Sequence, residues 1–162
     1  MEETCTFFCT FIETRYDPKS LPAGDEKLLY HVYCLCGMID GDGMGSLLAQ
    51  PVGQRRALYR SARKLGLTNL VENARKAAVA LHRAGLSLGR KRDRQRVAEI
   101  LKPFHRLYYD RFRRRAYARM HRLILASQAF IPYALNCRRM ETDGGNPFDP
   151  KEWTPAKLKS LG

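Results

Sequence analysis

Leu28, Leu29, Val32, Leu35, Cys36 and Ile39 stand 1, 3, 3, 1 and 3 residues apart. That spacing lines one face of an α-helix and cannot line one face of a strand. The segment is therefore expected to be an amphipathic helix with its apolar face buried. Asp25 stands where an N-cap belongs, and Glu26 in the first turn complements the helix dipole. The run stops at Asp40-Gly41-Asp42-Gly43-Met44-Gly45. Its glycines supply the backbone angles that end a helix and turn the chain.

The rest of the chain repeats the pattern. A short helical stretch from Ser46 to Gln50 precedes Pro51. Leu58, Ala62 and Leu65 trace a second amphipathic helix, closed by Gly66 as its left-handed C-terminal residue. Thr68 can cap the next helix, which carries Leu70, Ala74, Ala77, Ala78 and Leu81 on one face and ends at Gly85. Its small residues point to another helix packed closely against it. The two form a helical hairpin. After a basic loop at 86–92, Asp93 can cap a helix toward Leu101. Pro103 either kinks that helix or begins the next, which extends to about Phe130. Residues 4–16 read as a short strand or irregular arm, because Thr and Phe favour strands while the alternation is poor. Gly144, Gly145, Pro147, Pro150 and Pro155 mark an extended end.

The sum is a mainly all-α chain. We expect a single-domain bundle of about five to six helices over residues 21–136, with an irregular N-terminal arm (1–20) and an extended C-terminal tail (137–162). A chain of 162 residues is long enough to bury roughly 70% of its unfolded surface without disulfides or metal. It has no apolar run of about 18 residues. Its acidic opening, Met1-Glu2-Glu3, does not resemble a signal peptide, so a cytoplasmic setting is expected.

Five cysteines, Cys5, Cys9, Cys34, Cys36 and Cys137, are an odd number, which argues against a disulfide framework. A metal reading would recruit His31 with Cys5 and Cys9. The single residue between Cys34 and Cys36 does not match the two-residue spacing of zinc sites. A calcium loop starting at Asp40 fails as well, because Met44 and Pro51 fall where oxygen ligands are needed. Ser46 follows Gly45 but lacks the trailing glycine of a nucleophile elbow. His31, His82, His105 and His121 are scattered. Neither catalysis nor a cofactor is expected.

The charge is the feature that points to function. The chain carries 29 Lys and Arg against 16 Asp and Glu, a formal net charge of +13. Residues 1–50 have 3 basic and 8 acidic side chains, whereas residues 51–136 have 21 and 4. The middle of the chain is thus a concentrated cation, which attracts anions and repels itself. Two clusters stand out. Arg111, Arg115, Arg119 and Arg122 fall within an arc of about 80° on the last helix, next to an apolar arc of Phe112, Ala116, Met120 and Leu123. Arg90, Lys91, Arg92, Arg94 and Arg96 gather at a helix start, where the dipole disfavours cations. Both clusters are candidate anion or partner sites, with a plain solvated face as the alternative. Tyr108, Tyr109, Tyr117 and Tyr133 interleave with the arginines, either to stack on bases or as the edge of the core.

The order of elements resembles the bacterial DNA-mimic protein family over about Leu21 to Leu135. The similar residues are Leu28 to Val32, Gly43-Met44, Leu65-Gly66-Leu67 with Leu70 and Ala74, and Tyr109 to Phe112. The family's turn reads Asn-Gly-Gly-Phe, where this chain has Gly41-Asp42-Gly43-Met44. The resemblance implies a helical regulatory or binding domain. It cannot imply mimicry of DNA, because a mimic must be acidic and this region is basic. The expected function is a non-catalytic domain docking an anionic macromolecular partner, an acidic protein surface in the first instance. The alternative is sequence-nonspecific nucleic-acid binding. No membrane partner is expected.

Overall fold

The computed structural model describes Cys5, Cys9 and residues 24–127. Among these residues every regular element is helical. The apolar face read from Leu28 to Ile39 forms α1 (Gly24–Asp42), with Leu29, Val32, Leu35, Cys36 and Ile39 buried. α2 (Met44–Ala49), α3 (Val52–Lys64) and α4 (Thr68–Arg83) follow. A single 3-10 turn at Lys91–Asp93 leads into α5 (Arg94–Leu107). A π-helical turn at Tyr108–Arg113 joins α5 to α6 (Arg114–Ala126) without interruption. No helix among the described residues is long and apolar enough to cross a membrane.

α1 is the central element and packs against α2, α3 and α6. α4 lies against α3 on one side and α5 on the other, as its alanines imply. Leu70, Ala74, Ala77 and Leu81 are buried there. Asn73 is also buried, and its amide donates to the Phe104 carbonyl at 2.9 Å, tying α4 to the long helix.

Two turns set these angles. At the end of α3, Gly66 has φ +76°, a conformation that costs other L-residues about 1–2 kcal/mol. Its N–H donates to Arg63 O at 2.9 Å and the Leu67 N–H to Ala62 O at 2.8 Å. These are the paired bonds of a Schellman motif, and they satisfy carbonyls that the helix end leaves open. Between α1 and α2, Gly43 has φ +81° and ψ −179°, a region open essentially to glycine alone. A Cβ there would also stand 3.3 Å from the His105 ring. The glycine turn is thereby pressed directly against α5.

Several sequence expectations need correction. The N-terminal arm is neither strand nor irregular where it is described. Cys5 and Cys9 are helical, fully buried, and part of the core. Their spacing of four puts both on one helix face, and that face is buried in the bundle. Asp25 and Thr68 make no cap, since α1 begins at Gly24 and α4 takes Leu67 as its uncapped flank. Asp93 does not cap α5. Its carboxylate accepts from the Ser87 N–H at 3.1 Å and so closes the preceding loop. The long helix ends at Ala126 rather than near Phe130. Ser127 turns extended, and its hydroxyl donates to Asp25 Oδ2 at 2.6 Å, holding that end to the start of α1. The expected tail (137–162), Tyr133 and Cys137 lie outside the described residues.

Pro103 sits inside α5. It has no N–H to give the carbonyl one turn back, and five residues later the helix widens into the π turn.

Candidate functional site

The described stretch 24–127 holds 22 Lys and Arg against 8 Asp and Glu. What matters is which cations those few acids reach. Asp40 takes Arg113, Nε to Oδ1 at 2.9 Å. Glu72 takes Arg63 at 2.8 Å and Arg75 at 3.4 Å. Asp110 takes Arg106 at 3.5 Å. Asp93 lies 3.7 Å from Arg92, whose side chain is still 78% exposed. Arg111, Arg115, Arg119 and Arg122 make no ion pair among the described residues, nor do Arg90, Lys91, Arg94 and Arg96.

The arginine row is not the uniform solvent stripe that helical arithmetic implies. Arg111 belongs to the π turn and the others to α6, so the 100° step fails between them. Arg111 and Arg115 line a cleft of about 360 Å³ between the long helix and α4. Lys76 of α4 joins them there, with Asn69, Glu72 and Asn73 on the α4 side and Leu107 and Phe112 as the apolar wall. Arg119 lays its guanidinium over Gly66, about 3.5 Å from where a Cβ would stand. Arg122 is exposed. Lys76 was not found from the sequence. The alanine face of α4 announces a close helical neighbour but not the register that brings Lys76 beside Arg111.

The second cluster lies elsewhere. Arg94 and Arg111 are 17 residues apart, which separates them by ~25 Å at the helical rise. Arg94 borders a different groove, of about 660 Å³, between the glycine turn and α5. Lys102, Asp42 and Glu99 also line that groove, so its charge is mixed. The structure does not merge the two basic clusters into one patch.

Sequence reasoning missed Arg113 altogether. It reaches Asp40 at the end of α1, and Tyr117 donates to the same carboxylate at 3.1 Å. The Tyr109 hydroxyl donates to the Asp40 carbonyl at 3.2 Å. Residues 109, 113 and 117 are spaced by four along one face. The Arg113 guanidinium stands 6.0 Å from the Tyr109 ring centroid and 5.3 Å from that of Tyr117. Asp40 is thus a structural anchor between α1 and the long helix. Tyr108 and Tyr117 are buried, so the core reading holds for them, while Tyr109 keeps 43% exposure.

Cys36 and Tyr108 are buried in the core. Burial pushes the Cys36 thiol up to about 12, which leaves it protonated and unreactive at neutral pH. Burial likewise pushes the neighbouring Tyr108 phenol well above its ordinary range. No group of three or more potential metal-binding side chains occurs among the described residues.

His31 Nδ1 lies 2.9 Å from Ser61 Oγ, and the pair pins α1 to α3. Burial, and secondarily Lys27, lower the His31 pKa against a weaker opposing hydrogen bond to Ala57. Below its ordinary value of about 6.5, the unfolded chain binds a proton there that the folded chain resists. His31 therefore contributes stability that is present above that value and lost as pH falls. Melting curves from pH 7.5 to 5 should show a larger loss of Tm in the wild type than in His31→Gln. A wild type that gains on acidification relative to the variant would contradict this.

No family model, curated protein or solved structure matches the chain.

The described surface of α4 and the long helix is marked by fixed positive charge. One end of α4 and the long helix concentrate three cations around a cleft, two more arginines continue the row beyond it, and no acid among the described residues pairs with them.

Proposed function

We propose that this chain is a non-catalytic helical binding domain that docks an anionic macromolecular partner, in the first instance an acidic protein surface. The observation that carries the reading is the distribution of its acids. Among the described residues they hold Arg113, Arg63, Arg75 and Arg106, and none of them pairs with Arg111, Arg115, Arg122 or Lys76. Like charges spaced four apart on a helix cost a few tenths of a kcal/mol per pair, a cost that an anion lying along the row reverses. The resemblance to the DNA-mimic protein family supports a regulatory binding role, with the surface charge reversed. The cytoplasmic setting expected from the sequence belongs to the same proposal.

The test is a titration of the full chain against a labelled polyglutamate peptide and a duplex of about 20 base pairs, at about 50 and 200 mM salt. We expect polyglutamate to bind at the lower salt and weaken at the higher, because exposed charges are screened. Removing the row together, as Arg111→Gln with Arg115→Gln and Arg122→Gln, should weaken it about tenfold or more. Binding of neither polyanion at low salt sinks the reading. Duplex binding without polyglutamate binding, with a log–log salt slope near −5 for five or six phosphate contacts, gives the chain to nucleic acid instead.

A further inference from the structure

The cleft between α4 and the long helix has a more specific chemistry than the arginine row as a whole. Lys76, Arg111 and Arg115 converge on it from two helices. Its only acid among the described residues, Glu72, is already held by Arg63 at 2.8 Å and Arg75 at 3.4 Å. The Asn73 amide is engaged with Phe104 O, while Asn69 is exposed at the rim. Three cationic donors around one concavity of about 360 Å³ exceed what a single carboxylate can neutralise. A phosphomonoester carries about −1.5 to −2 charges and three strong acceptor oxygens. It matches one ammonium and two guanidinium groups in both charge and donor number, and guanidinium forks grip phosphate oxygens in pairs. Leu107 and Phe112, both half-buried, give an apolar wall for the carbon part of the group.

We propose that this cleft seats a phosphorylated side chain of the protein partner. The inference rests on the docking reading above and names the group that the partner presents. A nucleic-acid backbone fits the geometry less well. A duplex needs cations strung along a track, and the other basic cluster lies ~25 Å away along the helix, beside the mixed-charge groove that Arg94 borders with Lys102.

The experiment is a 1H–15N titration of the full chain with three small probes: N-acetyl-phosphoserine amide, N-acetyl-glutamate amide and dimethyl phosphate. We expect the phosphomonoester to shift the backbone amides of Asn69, Asn73 and Lys76 and the Nε–H signals of Arg111 and Arg115. The carboxylate and the diester should bind at least about fivefold more weakly. Arg111→Gln and Arg115→Gln should each abolish the localised shifts, while Arg56→Gln and Arg83→Gln, exposed and outside the cleft, should keep them. Equal binding of all three probes, or shifts spread evenly over Arg90–Arg96 and Arg122, would overturn the proposal. So would preferential binding of the diester, which would make the site one for nucleic acid. Polyglutamate binding that persists in Arg111→Gln, with no phosphoserine response in the wild type, would remove the phosphate site and leave the docking reading standing. Failure of polyglutamate and duplex alike removes the docking reading itself.

Discussion

Asp40→Ala is expected to destabilise the domain by about 2–3 kcal/mol, read as a fall in Tm of roughly 5–10 °C. The carboxylate receives Arg113 Nε at 2.9 Å and the Tyr117 hydroxyl at 3.1 Å. Its side chain is 19% exposed and that of Arg113 31%. Exposed ion pairs contribute about 0–1 kcal/mol, but this one is largely shielded and shares its acceptor with a buried tyrosine. Truncation removes the carboxylate that accepts from both a guanidinium and a phenol, and the loss of those two bonds dominates the cost. Asp40→Asn keeps an acceptor oxygen and should lose about half as much. An Asp40→Ala protein melting within about 1 °C of the wild type would mean that this carboxylate adds nothing measurable to the hold between α1 and the long helix.

Met120→Ala should cost more, about 2–5 kcal/mol, seen as a lower denaturant midpoint with an unchanged slope. Met120 is fully buried beneath α6. Its neighbours Ala116 and Ile124 are also buried, so the two residues that flank it along this face cannot swing in to fill the void. The volume-conserving Met120→Leu should lose under about 1.5 kcal/mol. If Met120→Ala lost less than about 1 kcal/mol, α6 would not dock as described, and the placement of Arg115 and Arg119 would fall with it.

Most of the helices were legible because their apolar residues repeat with the helical period. Ile39, Ala62, Ala77 and Met120 all face the core that their spacing implies. Gly66 was legible too, since a glycine after Leu65 reads as a C-terminal cap and its φ of +76° agrees. Caps were read less well. Asp93, Asp25 and Thr68 have the right chemistry in the right neighbourhood, but Asp93 and Asp25 found other partners, Ser87 and Ser127. A cap is decided by a shift of one residue, which periodicity does not resolve.

The candidate site was legible only in part. The two arginine clusters could be counted along the chain, but their separation and the arrival of Lys76 depend on how α4 runs beside the long helix. Arg113 escaped because it lies among Arg111, Arg114 and Arg115 and differs from them only in facing Asp40, 73 residues away in sequence. The N-terminal cysteines escaped because two small thiols carry no periodic signal strong enough to outweigh their Thr and Phe neighbours.

The π turn at Tyr108–Arg113 means that the long helix holds one residue more than its length requires. A shorter version lacking one residue of that turn would wind as an ordinary α-helix, and everything after it would keep its orientation toward the core. The surplus residue therefore acts as a local slack in the rod. It absorbs the mismatch between the face that α5 shows to α4 and the face that α6 shows to α1, so each half satisfies a different neighbour without a break in the chain.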